Sequence, residues 1–342
     1  MNSSDRRAVA AWLLLCAAMA FAMVVVGGVT RLTHSGLPIV EWQPLVGALP
    51  PLSRAGWEAL FAKYQQTPEF RLVNFGMDLE GFKSIFWWEY FHRLLGRLIG
   101  LVFLLPFLWF LVRGKLERRL AWLLGGVFLL GALQGALGWY MVKSGLVDDP
   151  RVSHFRLTAH LGMALAIFAA EIWLALDLLA ARGRPPARLA GAIALLVFVM
   201  ALSGGFVAGL RAGKAYNTFP MMNGHWVPPE ILLLEPWWQN LLYNMATVQF
   251  VHRAFFWLLA VLVPLAWWRA RATPAGAAAN LLLAAFVLQA ALGVATLLAA
   301  VPVALGAAHQ GGAVLLLGAA LWFTHQSCAV SRPSAALAPS SS

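Results

Sequence analysis

The sequence predicts an all-α polytopic membrane protein whose eight transmembrane helices form two tandem, pseudo-symmetric four-helix bundles. Three observations predict this class: a composition that no soluble chain carries, eight apolar runs of membrane-spanning length, and a repeat that relates the two halves. Of the 342 residues, 61% are hydrophobic and only 11% are charged, and the mean hydropathy is +0.73. A soluble domain has about a quarter charged residues to cover its surface. The solvent that accepts this much apolar surface is a bilayer.

Runs of ~20 apolar residues cross the hydrocarbon core. Eight are present, at 8–29, 86–112, 119–142, 156–180, 188–210, 246–268, 276–299 and 304–326. In lipid they must be helices, because an open sheet leaves backbone groups unpaired. The first run, with Arg6 and Arg7 ahead of it and Ala18 and Ala20 inside it, imitates a signal peptide. It outruns the ~7–15 residues of a signal-peptide core and continues past the cleavage-like site, so it is expected to stay as an uncleaved span.

Charge orients the spans. The N-terminus, the even-numbered connections and the tail hold 12 basic residues, Arg6 to Arg332, against only Asp5 and Glu117. The connections on the other side are balanced, with 9 basic and 9 acidic residues. The positive-inside rule therefore places both termini in the cytoplasm. The long segments 30–85 and 211–245 lie outside, with Trp42, Trp57, Trp87, Trp88, Trp226, Trp237 and Trp238 suited to the outer interface. The net charge of +11 is spread among loops, which argues against a nucleic-acid partner. Cys16 and Cys328 are far apart and apolar in context, so they read as small buried side chains, not as a disulfide framework or thiolate site.

The repeat is visible residue by residue. Leu133-Gln134-Gly135-Ala136-Leu137-Gly138 matches Leu288-Gln289-Ala290-Ala291-Leu292-Gly293 at five of six positions. Phe91-His92-Arg93 echoes Val251-His252-Arg253, Ala159-His160-Leu161-Gly162 echoes Ala308-His309-Gln310-Gly311, and Gly27-Gly28 echoes Gly204-Gly205 more weakly. Four spans per half, an even number, give both halves the same orientation. The expected units are 1–183, 184–330 and a disordered cytoplasmic tail, 331–342.

Four of eight histidines fall on repeat positions: His92, His160, His252 and His309, near the outer ends of even-numbered helices. A histidine inside a membrane helix faces a bundle interior or a cavity by default. Two imidazoles across a four-helix bundle form the usual axial arrangement for a haem iron. Arg93, Arg97 and Arg253 share those helices and either meet haem propionates or snorkel to the interface. A lone histidine at a helix end also serves as an interfacial hydrogen-bonder; duplication of both pairs favours ligation. A metal-only site fits less well, since no third ligand recurs in both halves. His34, His154, His225 and His325 are expected to be solvated or interfacial, and Gln134 and Gln289 to bond between helices.

The halves differ at one informative position. Three residues before His92 stands Glu89, and three before His252 stands Gln249. The i, i+3 spacing puts each pair on one helix face. A carboxylate beside one site and an amide beside the other suggest proton-coupled chemistry in the first half and a structural or electron-transferring haem in the second. The alternative for Glu89 is a carboxylate paired with Arg93. Glu171 and Asp177 have no repeat counterpart and no assigned role.

The chain resembles the haem A synthase family, in the branch shared by mitochondria and Gram-negative bacteria. The matching stretches include Gly27 to Thr33, Trp57 to Asn74, Glu89-Tyr90-Phe91-His92-Arg93, Gly138 to Leu146 and Arg156 to Gly162. In the second half they are Ser203 to Leu210, Tyr216 to Pro220, Val248 to Arg253 and His309-Gln310. The resemblance implies oxidation of the ring-D (C8) methyl group of haem O to a formyl group, through hydroxylated intermediates, giving haem A for terminal cytochrome oxidases. It implies one resident haem B ligated by His252 and His309, substrate haem O between His92 and His160, and Glu89 near the reacting side chain as the catalytic carboxylate. Arg93 and Arg253 are the candidate propionate contacts. It further implies the lipid bilayer and a haem O synthase (farnesyltransferase) as partners. The electron donor, and the choice between monomer and homo-oligomer, stay open.

Two departures from the family pattern stand out. His34 stands where relatives commonly have Glu, and the outer loops lack the cysteine pair of some Gram-positive relatives, which excludes a thiol relay there. The rival readings are a di-haem b membrane electron-transfer protein and a haem or lipid transporter. No acidic-poor, Ser-rich presequence precedes the first span, so a bacterial inner membrane is expected, with the haem sites toward its outer side.

Overall fold

A computed structural model describes residues 1–41, 47, 49–146, 150, 152–180 and 187–328. Trp42, Arg182, Arg184, the expected boundary at 183/184 and the tail 331–342 lie outside the described residues. Among the described residues the chain is helical, with no strand beyond an isolated bridge between Met222 and His225.

Eight helices are long and apolar enough to cross a membrane: α1 (Ser3–Leu32), α4 (Leu79–Val112), α5 (Arg118–Lys143), α6 (His154–Leu179), α7 (Arg188–Gly209), α9 (Met245–Ala270), α10 (Gly276–Leu298) and α11 (Val303–Gln326). Each lies on one of the expected runs. The clearest difference is at α4, which starts at Leu79 instead of 86. Asp78 caps it, its Oδ1 accepting from Gly81 N at 2.8 Å, so the helix begins in the polar segment before hydropathy rises. Asn244 caps α9 in the same way, accepting from the N–H groups of Ala246 and Thr247. Pro106 and Pro264 sit inside α4 and α9, which membrane helices tolerate when neighbours satisfy the freed groups.

In the first half, α1 packs on α4, α4 on α5, α5 on α6, and α6 back on α1. In the second half, α7 packs on α9, α9 on α10, α10 on α11, and α11 back on α7. The two rings meet where α1 touches α11, α6 touches α7, and α6 touches α11. Accordingly α1 and α11 bury 39% of their most apolar stretch, against 11% for α4 and α5, which face outward. One apolar core runs from the second half into this junction through Ala17, Leu165, Phe168, Val197 and Leu317. A second, at the end of the first half away from its histidines, gathers Val9, Leu13 and Cys16 of α1 with Phe103, Phe110 and Leu124. Cys16 and Cys328 are both buried, and neither is in a disulfide among the described residues.

The segment between α1 and α4 holds two helices too short and polar to form apolar runs, α2 (Arg54–Tyr64) and α3 (Pro68–Leu72). Ser53 caps α2, Thr67 caps α3, and Pro68 stands at its first turn. Their aromatic faces pack on α4: Trp57 lies 4.8 Å from Phe86, and Tyr64 5.3 Å from Phe82, between ring centroids. Trp57 is therefore part of a small aromatic cluster with Phe82, Phe86 and Tyr90. Inside it Glu69, 3% exposed, accepts from the Tyr64 hydroxyl at 3.3 Å, and Asn74 donates to that hydroxyl at 2.7 Å. In the second outer segment a short helix, α8 (Asn240–Tyr243), precedes α9, and Trp226, Trp237 and Trp238 are exposed.

At the opposite end His325 departs from the solvated or interfacial expectation. It is 1% exposed, its Nε2 is 3.0 Å from Asp177 Oδ1, and Trp173 packs edge-on against it. The α6–α11 contact encloses it. Glu171, also on α6, is buried in electrostatic reach of Cys16.

Candidate functional site

His92 lies on α4, His160 on α6, His252 on α9 and His309 on α11. His160 is within electrostatic reach of His92, and His309 of His252, so each half brings its two histidines together. All four keep part of their surface accessible, in contrast with the fully packed His325. Side chains that face a space between helices behave in this way.

Each imidazole rests on a glycine of the preceding helix. A Cβ at Gly27 would lie 3.0 Å from His92 Nε2, and one at Gly138 2.9 Å from His160 Cε1. In the second half, a Cβ at Gly204 would lie 3.3 Å from His252 Cε1, and one at Gly293 2.8 Å from His309 Cε1. These four glycines are the ones the repeat singles out, and their lack of a side chain lets the rings sit at the helix surface. The second member of each glycine pair faces across the junction: a Cβ at Gly28 would meet Gln310 of α11 at 2.8 Å, and one at Gly205 would meet Thr158 of α6 at 2.9 Å.

The backbone behind two of the rings is tied down equally. Gln134 Nε2 donates to the carbonyl of His160 at 3.0 Å, and Gln289 Nε2 to that of His309 at 2.9 Å. These are the interhelical bonds expected of the two glutamines. On the imidazoles themselves, Nδ1 of His160 and of His309 is buried without a hydrogen-bond partner.

Glu89 is 3% exposed and engaged on both oxygens. Arg93 Nε donates to Oε1 at 2.9 Å, and the backbone N–H of Ile39 donates to Oε2 at 2.7 Å. The arginine pairing weighed from sequence thus exists, in a buried setting. Arg93 also donates from Nη2 to the carbonyl of Ile39 at 2.8 Å. The second half repeats this clamp around Tyr216, whose carbonyl accepts from Arg253 Nη2 at 3.1 Å and from Gln249 Nε2 at 3.1 Å. Arg253 Nη1 reaches the carbonyls of Pro220 and Met221 at 3.3 Å. Each arginine therefore fastens the segment that follows α1 or α7 to the helix carrying His92 or His252. Sequence reasoning missed this arrangement, because it is built on backbone atoms of Ile39 and Tyr216. A cavity of about 280 Å³ beside Arg93 is lined by Ile39, Lys63, Phe86, Tyr90 and Arg97.

The remaining histidines are elsewhere. His34 and His225 are exposed in outer segments, and His154 packs among Phe155, Phe206 and Tyr243. Among the described residues no group of three or more His, Cys, Asp or Glu side chains is placed to hold a metal ion. The paired imidazoles instead offer two nitrogen ligands in each half, every ring seated against a glycine. That donor set fits a haem.

Fold and site define a polytopic membrane protein with two histidine pairs between helices, each covered by an arginine-clamped loop. The model of the COX15-CtaA family, cytochrome oxidase assembly protein, matches residues 10–321. The chain belongs to this family. It is 59% identical over 333 residues to the "Heme A synthase" of Nitrosospira multiformis, covering 94% of both chains. It is 52% identical to that of Nitrosomonas eutropha, over 92% of both chains. With that of Parvibaculum lavamentivorans it shares 48% identity over 95% of this chain and 96% of the relative.

Proposed function

We propose that this chain is a haem A synthase, oxidising the ring-D (C8) methyl group of haem O to a formyl group for terminal cytochrome oxidases. The observation that carries the reading is the pairing of four glycine-seated histidines with a buried carboxylate, Glu89, three residues before the histidine in one half, where the other half has Gln249. Family membership and the printed names of the relatives agree with it.

In this reading His252 and His309 hold one haem B, and His92 and His160 hold substrate haem O. Haem B, when bound, supplies electron transfer. Two successive two-electron oxidations of the methyl carbon, each drawing on an external oxidant of the dioxygen class and placing one hydroxyl on the carbon, would give an alcohol and then a geminal diol, which loses water to the aldehyde. Glu89, one helical turn from His92, orients the hydroxyl and accepts its proton. Arg93 holds the carboxylate and, with Arg253, faces the propionates from the outer rim. Ile39 and Tyr216, held by the arginine clamps, close the outer segments over the sites and limit access of water.

The two bundles, 1–183 and 184–330, are supported by the identical order of helix neighbours in the two rings. The positive-inside count supports an inner-membrane protein with both termini cytoplasmic and the sites near the outer face. A haem O synthase is the partner whose product this site consumes, and an electron donor completes the reaction.

The test is co-expression with a haem O-producing farnesyltransferase in a host that makes no haem A, followed by chromatography of extracted haems. Haem A or its hydroxylated precursor is expected with the native chain and not with Glu89→Ala or His252→Ala. Equal amounts of haem B alone from native chain and Glu89→Ala would sink the synthase reading and favour the electron-transfer rival.

A further inference from the structure

Ser203 stands immediately before Gly204 on α7. Its Oγ lies 2.7 Å from Nδ1 of His252 and 2.7 Å from the carbonyl oxygen of Met200. A hydroxyl has one proton and a carbonyl can only accept, so the proton goes to Met200 and the Oγ lone pairs face the ring. Nδ1 of His252 must then carry the imidazole proton, and Nε2 keeps its lone pair. The carbonyl of Met200 also faces this ring, a second acceptor on the same side. The glycine seat touches the same edge, with a Cβ at Gly204 3.3 Å from Cε1 and 3.8 Å from Nδ1. Helix α7 thus takes the Nδ1 edge of His252 and leaves Nε2 directed away from it.

The first half lacks this device. Gly27 and Gly204 are 177 positions apart, and the residue 177 positions before Ser203 is Val26, which offers no hydrogen-bonding side chain. The ring there is turned the other way. A Cβ at Gly27 would meet His92 at Nε2, 3.0 Å, and at Cδ2, 3.4 Å. Helix α1 therefore receives the edge of His92 that α7 leaves free in His252. For Nε2 of His92 to serve an iron, the ring must rotate on its glycine seat, and no serine opposes that rotation.

We infer that Ser203 is a positioning residue that fixes the tautomer and rotation of His252, making the second-half pair the retentive haem site. Val26 at the corresponding place leaves His92 free to turn, making the first-half pair the exchangeable site. The inference rests on the two-site reading above. It answers a requirement of that chemistry: a substrate haem must enter and a product haem must leave one site, while the other must keep its haem through every turnover. Hydrogen bonding to Nδ1–H is the general way to fix which nitrogen binds and to strengthen it as a ligand.

The experiment uses the full-length chain purified in detergent with the haem B it retains, and compares Ser203→Ala, Ser203→Thr and His252→Ala. Transfer of haem B to excess apomyoglobin gives its rate of release, and redox titration of the bound haem gives its potential. Ser203→Ala is expected to release haem B roughly 10–100-fold faster, the range found when such outer partners are removed. Its potential should rise, because a less basic imidazole favours the ferrous state. Ser203→Thr, which keeps the hydroxyl, should behave as the native chain. Native release rate and potential in Ser203→Ala, in a preparation where His252→Ala has lost its haem, overturn the inference while leaving the two-site reading intact. Full haem B retention by His252→Ala overturns the two-site reading itself. Val26→Ser gives an independent arm should Ser203→Ala aggregate: haem O loaded into the first half should leave about ten-fold more slowly, and an unchanged rate counts against the inference.

Discussion

His34 and Arg211 occupy the same place in their two halves. Each is the second residue beyond the end of its helix, α1 or α7, and each takes the left-handed conformation, with φ of 54° and 55°. They are 177 positions apart, as Gly27 and Gly204 are, and the chain then turns so that Ile39 and Tyr216, also 177 apart, reach the two arginine clamps. The left-handed residue is thus the bend that returns each outer segment over its histidine pair. A β-branched side chain there is strained by about 1–2 kcal/mol, whereas glycine adopts the conformation freely. His34 and Arg211 already bear most of that strain, so His34→Val and Arg211→Val should lower thermal stability in detergent by only the added cost of β-branching, and the glycine variants should not lower it. Equal behaviour of the valine and glycine variants would show that the bend imposes no such demand.

The glycine seats predict a graded series. An added methyl in a filled space costs about 1–3 kcal/mol, more where the neighbour cannot retreat. The Cβ distance is 2.8 Å at Gly293 and 3.3 Å at Gly204. Gly293→Ala should consequently displace His309 and lose haem on purification, while Gly204→Ala should lose less. Haem-to-protein ratios after size-exclusion chromatography rank the two, and a reversed order would mean that the rings yield more easily than the backbone.

Glu69 predicts a dependence on pH. Burial first, opposed by the Tyr64 hydrogen bond and reinforced by the charge of Glu89, pushes its carboxyl up to about 7 from 4.5. A raised carboxyl means that the folded chain binds the proton more tightly than the unfolded one, so this group's contribution falls as pH rises from 4.5 to 7. The loss amounts to roughly 3 kcal/mol by the usual conversion. Melting of the purified protein should decline across that window, and Glu69→Gln, which cannot ionise, should flatten the decline. A slope unaltered by the substitution assigns it to other groups.

The eight spans were readable because each is a long apolar run, and the four histidines because polar groups inside such runs are rare. Helices α2 and α3 escaped since they are short and half-polar, and bury their aromatic faces on the start of α4. Their signals, Ser53 and Thr67-Pro68, are helix starts that a hydropathy reading passes over. The arginine clamps were invisible for a different reason: their partners are backbone groups of Ile39 and Tyr216, which any residue could supply. His325 misled because a histidine near a helix end looks interfacial until α6 and α11 are seen to close over it. Ser203 carried a faint signal, a hydroxyl beside a repeated glycine, which acquires meaning only with the position of His252 Nδ1.

The difference between Glu89 and Gln249 leads to a reciprocal exchange. Ile39 presents both its N–H and its carbonyl, the first to Glu89 and the second to Arg93. Tyr216 presents its carbonyl to both Gln249 and Arg253, so the amide of Gln249 is needed as a donor. Gln249→Glu places a carboxylate against that carbonyl and should cost about 1–3 kcal/mol of stability, part of it offset by Arg253 one turn away. Methyl oxidation should survive this change. Glu89→Gln keeps an oxygen for the Ile39 N–H but loses the proton acceptor and the charge that holds Arg93. Oxidation of haem O should then fall by about 10²–10⁴-fold, the contribution of a positioned acid or base, with both haems still bound. Chromatography of the haem products and thermal unfolding, run on the same preparations, separate the two effects. Comparable loss of oxidation in both variants would make the carboxylate a structural tie, like the amide, and leave the proton-accepting role to another group.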